Sequence, residues 1–558
     1  MNGEVFFQKF ELVADAPDAV AKMRDLVLEL AVQGRLVEQK AGEGDGHALL
    51  ELIHKKNSPS GIVTDAESLD DKLPTFPNNW AASKLGEVAE IVRGVSFPGS
   101  AKSETRFDGD VACLRTASVQ AEIDWDDLIY ISPSHVSRSE QWVAPNDIMI
   151  SMANSYALVG KVAIVREVPQ KATFGAFLAA IRPVLIDPYF LLYVLRSPRM
   201  QEAFRASSSQ TTNIANISLV RMRPLPFPLP PLAEQRRIVA KVDELMALCD
   251  QLEALQQERE TRKSVLVRAS LARFAETPTP ANLGFLFYKS YDVPPAELRK
   301  TILTLAVQGK LVPQDSADES VDELLVRSHE ERRKLNRTVV AAARHLRENE
   351  GLGYRIPTSW RWQLLDELLV FGPTNGFSPR AVDYETPTRS LTLSATTSGR
   401  FKGEYSKFIA AEVPHDSDLW LRDGDILIQR GNTSDYVGVA AVYRGEPNRF
   451  VYPDLMMKVR VSSCFDVAFI HLAMSEDAAR NFLRRRATGT SSNMPKINQT
   501  TLRCLPLPVP PHSEQCRIVA KVDQLMSLVD ELERQQELSR TTASRLLDAI
   551  VHELTGDR

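Results

Sequence analysis

The chain has 558 residues, 44% of them hydrophobic and 25% charged, and a net charge of −5. That makeup suits a folded protein with several buried cores; it excludes a disordered chain and argues against an indiscriminate nucleic-acid binder, which carries a basic excess. No uncharged apolar run reaches the roughly 18 residues a bilayer demands, and Met1 to Phe10 lack a basic start followed by an apolar core, so a cytoplasmic location without a membrane partner is expected. Five scattered cysteines, Cys113, Cys249, Cys464, Cys504 and Cys516, form no Cys-x-x-Cys pair and argue against disulfides and a zinc site.

Along the chain, Val20, Met23, Val27 and Leu30 recur at helical spacing and predict an amphipathic helix over 19–37, with Gly34 where a C-terminal stop belongs. A second helix fits 46–56, and the glycines Gly42, Gly44 and Gly46 before it read as a linker, since no strand precedes them. After Pro77-Asn-Asn-Trp80 the texture changes to short apolar runs broken by Gly, Pro, Asn and Asp, such as 88–92, 147–150 and 162–165, which predict strands. One helix over 189–205 closes that stretch. Beyond the Pro230-Pro231 pair, Ile238, Val242, Leu245, Cys249 and Leu252 alternate in steps of four and three, a heptad seam on a helix of about 40 residues, roughly 60 Å long.

The chain then starts again. Leu305-Ala-Val-Gln-Gly-Lys-Leu-Val repeats Leu30-Ala-Val-Gln-Gly-Arg-Leu-Val inside a predicted helix over 295–312, and a further helix is expected over 319–349. Pro357 to Trp360 matches Pro77 to Trp80; Asp425, Asn432 and Gly438 match Asp147, Asn154 and Gly160; Asn493 and Ile497 match Asn213 and Ile217. A closing helix is predicted over 467–486. The segment from Leu225 to Met246 returns almost unchanged from Leu505 to Met526, and its seam returns as Ile518, Val522, Leu525, Val529 and Leu532. So long a period marks a duplicated half-molecule, because solenoid units recur every few tens of residues. The predicted organisation is a helical region over 1–75, a domain over 76–225, a central helical region over 226–355, a second domain over 356–505 and a helix over 506–558. The class is α+β, with domains of α/β or mostly β texture between helices. The seams are expected to pair with each other within the chain; an intermolecular coiled coil in a homodimer, dependent on Leu245 and Leu525, is the alternative.

Residues 76–225 carry about +1, residues 356–505 about +2 and the rest about −8, so the acidity belongs to the repeated flanks. No phosphate loop, His-Glu-x-x-His helix or Gly-x-Ser-x-Gly elbow is present, and the nine histidines are dispersed. Pro453-Asp454 followed by Lys458 has the look of a nuclease metal site, yet Met456 and Met457 stand where a second carboxylate would be needed, and a core strand is the better reading. These absences argue against catalysis. What remains is two frames with loops rich in side chains that can read base edges and hold phosphates. Asn154-Ser-Tyr156 and Asn432-Thr-Ser-Asp-Tyr436 each follow a strand-like run, and 207–213 and 488–493 are uncharged donor and acceptor tracts with arginines just upstream.

The two copies of the 225–246 segment, with the paired Leu-Ala-Val-Gln-Gly-Arg/Lys-Leu-Val, resemble the conserved regions of type I restriction-modification specificity subunits, and the likeness covers the chain nearly end to end. It implies two target-recognition domains on two long antiparallel helical (coiled-coil) spacers with pseudo-twofold symmetry, each domain reading one half of a bipartite site on double-stranded DNA. It implies partners as well: two methyltransferase subunits holding S-adenosylmethionine, and restriction/translocase subunits using ATP and Mg. No cofactor is implied on this chain. By the same likeness the recognition domains open after Pro77–Trp80 and Pro357–Trp360 and enter loops at Arg93-Gly-Val-Ser-Phe97 and Asn375-Gly-Phe-Ser-Pro379, which differ in spacing. The expected DNA contacts are Arg93, Ser96, Asn154, Ser155, Tyr156, Thr211, Thr212 and Asn213 in the first domain, and Asn375, Arg430, Asn432, Thr433, Tyr436, Ser492, Asn493 and Lys496 in the second. A non-catalytic bivalent scaffold for protein partners is the rival reading. A self-sufficient modifying enzyme is disfavoured, since neither Asn-Pro-Pro-Tyr nor Asp-Pro-Pro-Tyr occurs.

Overall fold

Glycine sets where the opening helix of each half stops. In the computed structural model, which describes residues 16, 18–40, 42–57, 76–210, 214–277, 282, 293–339, 352–489 and 494–556, helix α1 (Ala19–Val32) ends just before Gly34 at φ 66°. The Arg35 N–H reaches back to the Leu30 carbonyl at 3.0 Å, closing the helix through a left-handed residue. A Cβ on Gly34 would also lie 2.6 Å from Cδ of Pro77, so only glycine satisfies both the turn and the packing. Gly309 (φ 67°) repeats this after helix α6 (Pro295–Val307), against Pro357. Both helices are shorter than the expected 19–37 and 295–312, because the repeated motif contains its own stop.

The described residues form two compact units, one from 1–259 together with 538–558 and the other from 260–537. In the first, helix α2 (Gly46–Asn57) precedes strand β1 (Ala81–Lys84), which pairs antiparallel with β12 (Pro226–Leu229), so the recognition domain is stapled where it begins and ends. Pro226 and Pro228 are tolerated there because this ladder has only two strands. Between them, β2 (Ala89–Arg93), β9 (Leu178–Pro183), β5 (Ile148–Ser151) and β7 (Val162–Ile164) form an antiparallel sheet in that order. A smaller sheet sets β4 (Leu128–Ile131), β3 (Val111–Leu114) and β8 (Ala172–Phe174) side by side, the last pair parallel. The second unit repeats the frame with β13 (Arg361–Leu364) stapled to β22 (Pro506–Val509) around a sheet of β14 (Leu369–Asn375), β21 (Met456–Val461), β18 (Ile426–Gln429) and β19 (Ala440–Val442).

Each closing helix is two helices. Helix α3 (Pro188–Arg196) is capped by Asp187, and α4 (Pro198–Ala206) restarts at Ser197, whose hydroxyl accepts from the Met200 N–H while Pro198, lacking an N–H, cannot continue α3. In the second unit Asp466 caps α8 (Val467–Ser475) and Glu476 caps α9 (Asp477–Arg485). Helix α7 (Val321–Lys334) covers only the first part of the expected 319–349, of which 340–349 lie outside the described residues.

The long helices α5 (Leu232–Glu276) and α10 (His512–Thr555) run 45 and 44 residues, as the heptads predict. Their seams close differently from the expectation. Ile238, Val242 and Leu245 share one apolar cluster with Val27, Leu28 and Ala31 of α1 and with Phe227 and Leu229; Ile518, Val522 and Leu525 share another with Leu298, Ile302 and Leu305 of α6 and with Leu507 and Val509. The first turns of each seam are therefore covered by their own unit, because the strand that delivers the long helix lies beside the domain it closes. Leu245 and Leu525 are buried there, which also removes them from an intermolecular seam. Farther along, Cys249 and half-buried Leu252 join Leu547 and Leu554 in the first unit, while Val529 and half-buried Leu532 join Val267, Leu271 and Phe274 in the second. Among the described residues no helix is long and apolar enough to cross a membrane.

Candidate nucleic-acid interface

The repeated Glu-Gln-x-Arg segment is a structural clasp, and it aims the rest of the domain. Glu234 is buried and accepts from Trp80 Nε1 (3.0 Å) and Gln39 Nε2 (2.6 Å); Glu514 does the same for Trp360 (3.0 Å) and Gln314 (2.5 Å). Burial raises the Glu514 pKa above the usual carboxylate range, against the lowering effect of the two donors. Gln235 donates to the Pro230 carbonyl and accepts from the Asp187 N–H; Gln515 pairs likewise with Pro510 and Asp466. Arg237 reaches Glu43, and Arg517 reaches Asp318. One short motif thus fixes helix, staple strand and closing helix together.

At one end of each main sheet the loops form a hydrogen-bonded rim. In the first unit the Met152 N–H donates to the Phe177 carbonyl (2.8 Å), the Ile217 N–H to the Met152 carbonyl (2.8 Å) and the Gly94 N–H to the Leu178 carbonyl (3.1 Å). In the second the Arg430 N–H donates to Leu455 (2.7 Å), the Ile497 N–H to Arg430 (2.9 Å) and the Phe377 N–H to Tyr452 (3.1 Å). Gly94 and Gly376 resolve the spacing difference between the two entry loops. A Cβ on Gly94 would stand 2.3 Å from the Gly175 carbonyl oxygen, and one on Gly376 would stand 2.0 Å from that of Tyr452, so both pass against the same turn.

The predicted contacts fall on this rim to different degrees. Arg93, the last residue of β2, is exposed and its Nε lies 3.4 Å from the Ala176 carbonyl; Ser96 is exposed on the loop beyond. Asn154 belongs to the short strand β6 (Ala153–Asn154) and pairs with Ala215 of β11 (Ala215–Asn216). Its Oδ1 accepts from the Ser155 N–H at 2.8 Å, and Asn432 Oδ1 accepts from the Thr433 N–H at 2.7 Å. Their Nδ2 groups are engaged as well, Asn432 donating to Gln429 Oε1 at 2.6 Å and Asn154 to Ser151 Oγ at 3.5 Å, so each asparagine is held at both ends and has at most its second amide hydrogen to offer a ligand. Ser155, Tyr156, Thr433 and Tyr436 are exposed on those turns, but Tyr436 stands two places later than the register of Tyr156, where the second copy has Ser434. Asn375 ends β14, exposed, and Arg430 is half-buried with Nη1 3.4 Å from the Asp454 carbonyl. Lys496 is exposed and pairs with Thr488 through two backbone bonds of 2.9 Å at the mouth of the closing loop. Thr211, Thr212, Asn213, Ser492 and Asn493 lie outside the described residues.

Sequence reading missed the turn opposite these loops. Ala176 and Phe177 in one unit, and Asp454 and Leu455 in the other, occupy the centre of the rim, with Phe177 66% exposed. Its signal was weak, a glycine in one copy and a proline in the other. Lys458 does not face the rim: 1% exposed, it donates to the Asp418 and Trp420 carbonyls and lies between the rings of Phe371 and Tyr452. Burial pushes its ammonium down to about 8 and the Tyr452 phenol up to about 12. Asp147 and Asp425 are likewise internal, each bound by an arginine, Arg182 at 2.7 Å and Arg460 at 2.7 Å.

A frame built twice, clasped at its ends and dressed differently at one rim, is that of a paired recognition module. The family model for the type I restriction modification DNA specificity domain matches residues 77–261 and 403–540, and the chain belongs to that family. It is the DNA specificity subunit of a type I restriction-modification system, with two target-recognition domains and no catalytic role of its own. The EcoEI specificity subunit of Escherichia coli is 24% identical over 95% of this chain and 93% of its own length, and the EcoKI specificity subunit of Escherichia coli K12 is 25% identical over 86% and 90%. A chain from a solved structure described as the basis of complex assembly and conformational transition of the type I R-M system superposes with a TM-score of 0.50 at 19% identity, over 87% of this chain and all of that one.

Proposed function

We propose that each rim reads one half of a bipartite site on double-stranded DNA, and that α5 and α10, as antiparallel spacers, fix the gap and offer outer faces to two methyltransferase subunits. The observation that carries this reading is the equivalent rim hydrogen bonding at Met152 and Arg430, with different side chains projecting from it: Arg93, Phe177 and Tyr156 in one unit, Asn375, Asp454 and Tyr436 in the other. A shared frame with different chemistry is what two half-sites of unlike sequence demand. Joining two such readers multiplies discrimination, since each mismatched pair costs only about 1–3 kcal/mol. S-adenosylmethionine would sit on the methyltransferase partners, and ATP with Mg on restriction/translocase subunits that complete the complex. A partner that is double-stranded DNA is in keeping with a cytoplasmic location.

Co-expression with a cognate methyltransferase tests the reading. Adenine methylation confined to a two-part sequence with a fixed gap is expected; purified complexes that bind no duplex with sequence preference would overturn it.

A further inference from the structure

A carboxylate stands at the centre of the second rim. The bonds that match Met152 to Arg430 and Phe177 to Leu455 set Asp454, exposed on the turn before β21, where the first unit has uncharged Ala176. Its position is fixed from two sides. The Asp454 N–H donates to Ser378 Oγ (3.2 Å), that hydroxyl donates in turn to Asp454 Oδ1, and Arg430 Nη1 lies 3.4 Å from the Asp454 carbonyl. Ser378 sits in the entry loop two residues past Gly376, whose close pass against the Tyr452 carbonyl holds loop and turn together. Among the described residues Oδ2 has no partner. The surroundings are basic: Arg430 on the rim, exposed Lys496 at the mouth of the closing loop, and exposed Arg484 and Arg485 at the end of α9. Those cations suit phosphates, whereas phosphate oxygens repel a carboxylate, so an acid kept at the rim's centre suits the edge of a base.

We propose that Asp454 is a specificity-determining residue that reads a cytosine in one half-site, Oδ2 accepting from N4 while Ser378, a positioning residue, holds Oδ1. In the major groove the amino donors are N4 of cytosine and N6 of adenine. Adenine sets its N7 lone pair beside N6, facing the carboxylate with a second acceptor; cytosine sets an uncharged C5–H beside N4. The assignment rests on the DNA-reading proposal above, and it belongs to the second domain alone, since Ala176 has nothing to accept with.

The test profiles methylation by the full chain with its methyltransferase on DNA whose half-sites are randomised. Asp454→Asn keeps an acceptor for Ser378 and gains an amide donor, the pairing that suits adenine N6 and N7, so one position of one half-site should change from C·G to A·T with the other half kept. Asp454→Ala should relax that position, its C·G preference falling about tenfold, and Ser378→Ala should weaken the preference without changing the base. Asp423→Asn, an exposed acid at the other end of β18 that pairs with Arg444, should leave the profile as it is. Equal Tm values for wild type and variants separate lost reading from lost folding. A wild-type complex without sequence preference would overturn the DNA-reading proposal and this one with it. A wild-type preference that survives unchanged in both Asp454→Asn and Asp454→Ala, or a lost preference for any pair but C·G, would overturn this one alone.

Discussion

Trp80 and Glu234 stand 154 residues apart in sequence, as do Trp360 and Glu514, and each pair is a buried hydrogen bond that ties a domain's first residues to the helix leaving its last strand. Both tryptophans and both glutamates are visible as repeat landmarks in the sequence, but a repeat says only that something is kept in both copies, and the bond had to be seen in three dimensions. Glu234→Ala leaves buried Trp80 Nε1 without its acceptor, at about 1–3 kcal/mol, whereas exposed Gln39 Nε2 can turn to water. Chemical denaturation of the full chain should show a loss of that order in the first unit, and Glu514→Ala the same in the second; a change below about 0.5 kcal/mol in both would contradict the clasp. Glu514 adds a pH signature. Its folded pKa is raised by burial, so above the unfolded value near 4.5 the folded state binds more protons than the unfolded state, and its ionisation subtracts stability as pH rises through the folded pKa. Glu514→Gln should therefore lose less stability than wild type as pH rises above about 4.5, measured by denaturant midpoints across that rise; parallel curves would refute the linkage.

At the scale of elements, periodicity located the long helices and the helices that open each half, because an apolar stripe every three or four residues reports a covered face. It did not report what covers that face, and so the seam residues Ile238 and Ile518 pack on their own unit rather than on each other. The closing helices broke at Ser197 and Glu476 because a cap restarts the chain there, a local hydrogen-bonding choice that hydrophobic spacing does not register. The rim was half legible. Asn154 and Asn432 recur and were found; the turns at 175–177 and 453–455 share no side chains and were not. Their equivalence rests on the backbone contacts of Gly94 and Gly376, from which a testable consequence follows. Gly94→Ala drives a methyl group into the Gly175 carbonyl at 2.3 Å and must shift the entry loop. Discrimination at one half-site should drop roughly tenfold, or about 1.4 kcal/mol, with the other half unchanged. Profiling methylation on a library of randomised half-sites reads this directly; equal loss in both halves would count against independent rims.

Over the whole molecule, the two units cut across the long helices: residues 232–259 and 538–555 belong to one, 260–276 and 512–537 to the other. Sequence boundaries set at 226, 356 and 506 follow texture, whereas these units follow contact, and a helix seen in sequence as one element can serve two units in turn. The duplication itself was fully legible, because the clasp demands the same side chains in both copies. What each rim reads was not, since the side chains that project there are the ones the two copies do not share. Exchange of residues 76–225 for those of another family member, within the full chain and with its methyltransferase present, tests the central claim most directly. Sequencing the methylated adenines should show one half of the site replaced, with the other half and the gap kept. A site unchanged by the exchange, or altered in both halves, would contradict it.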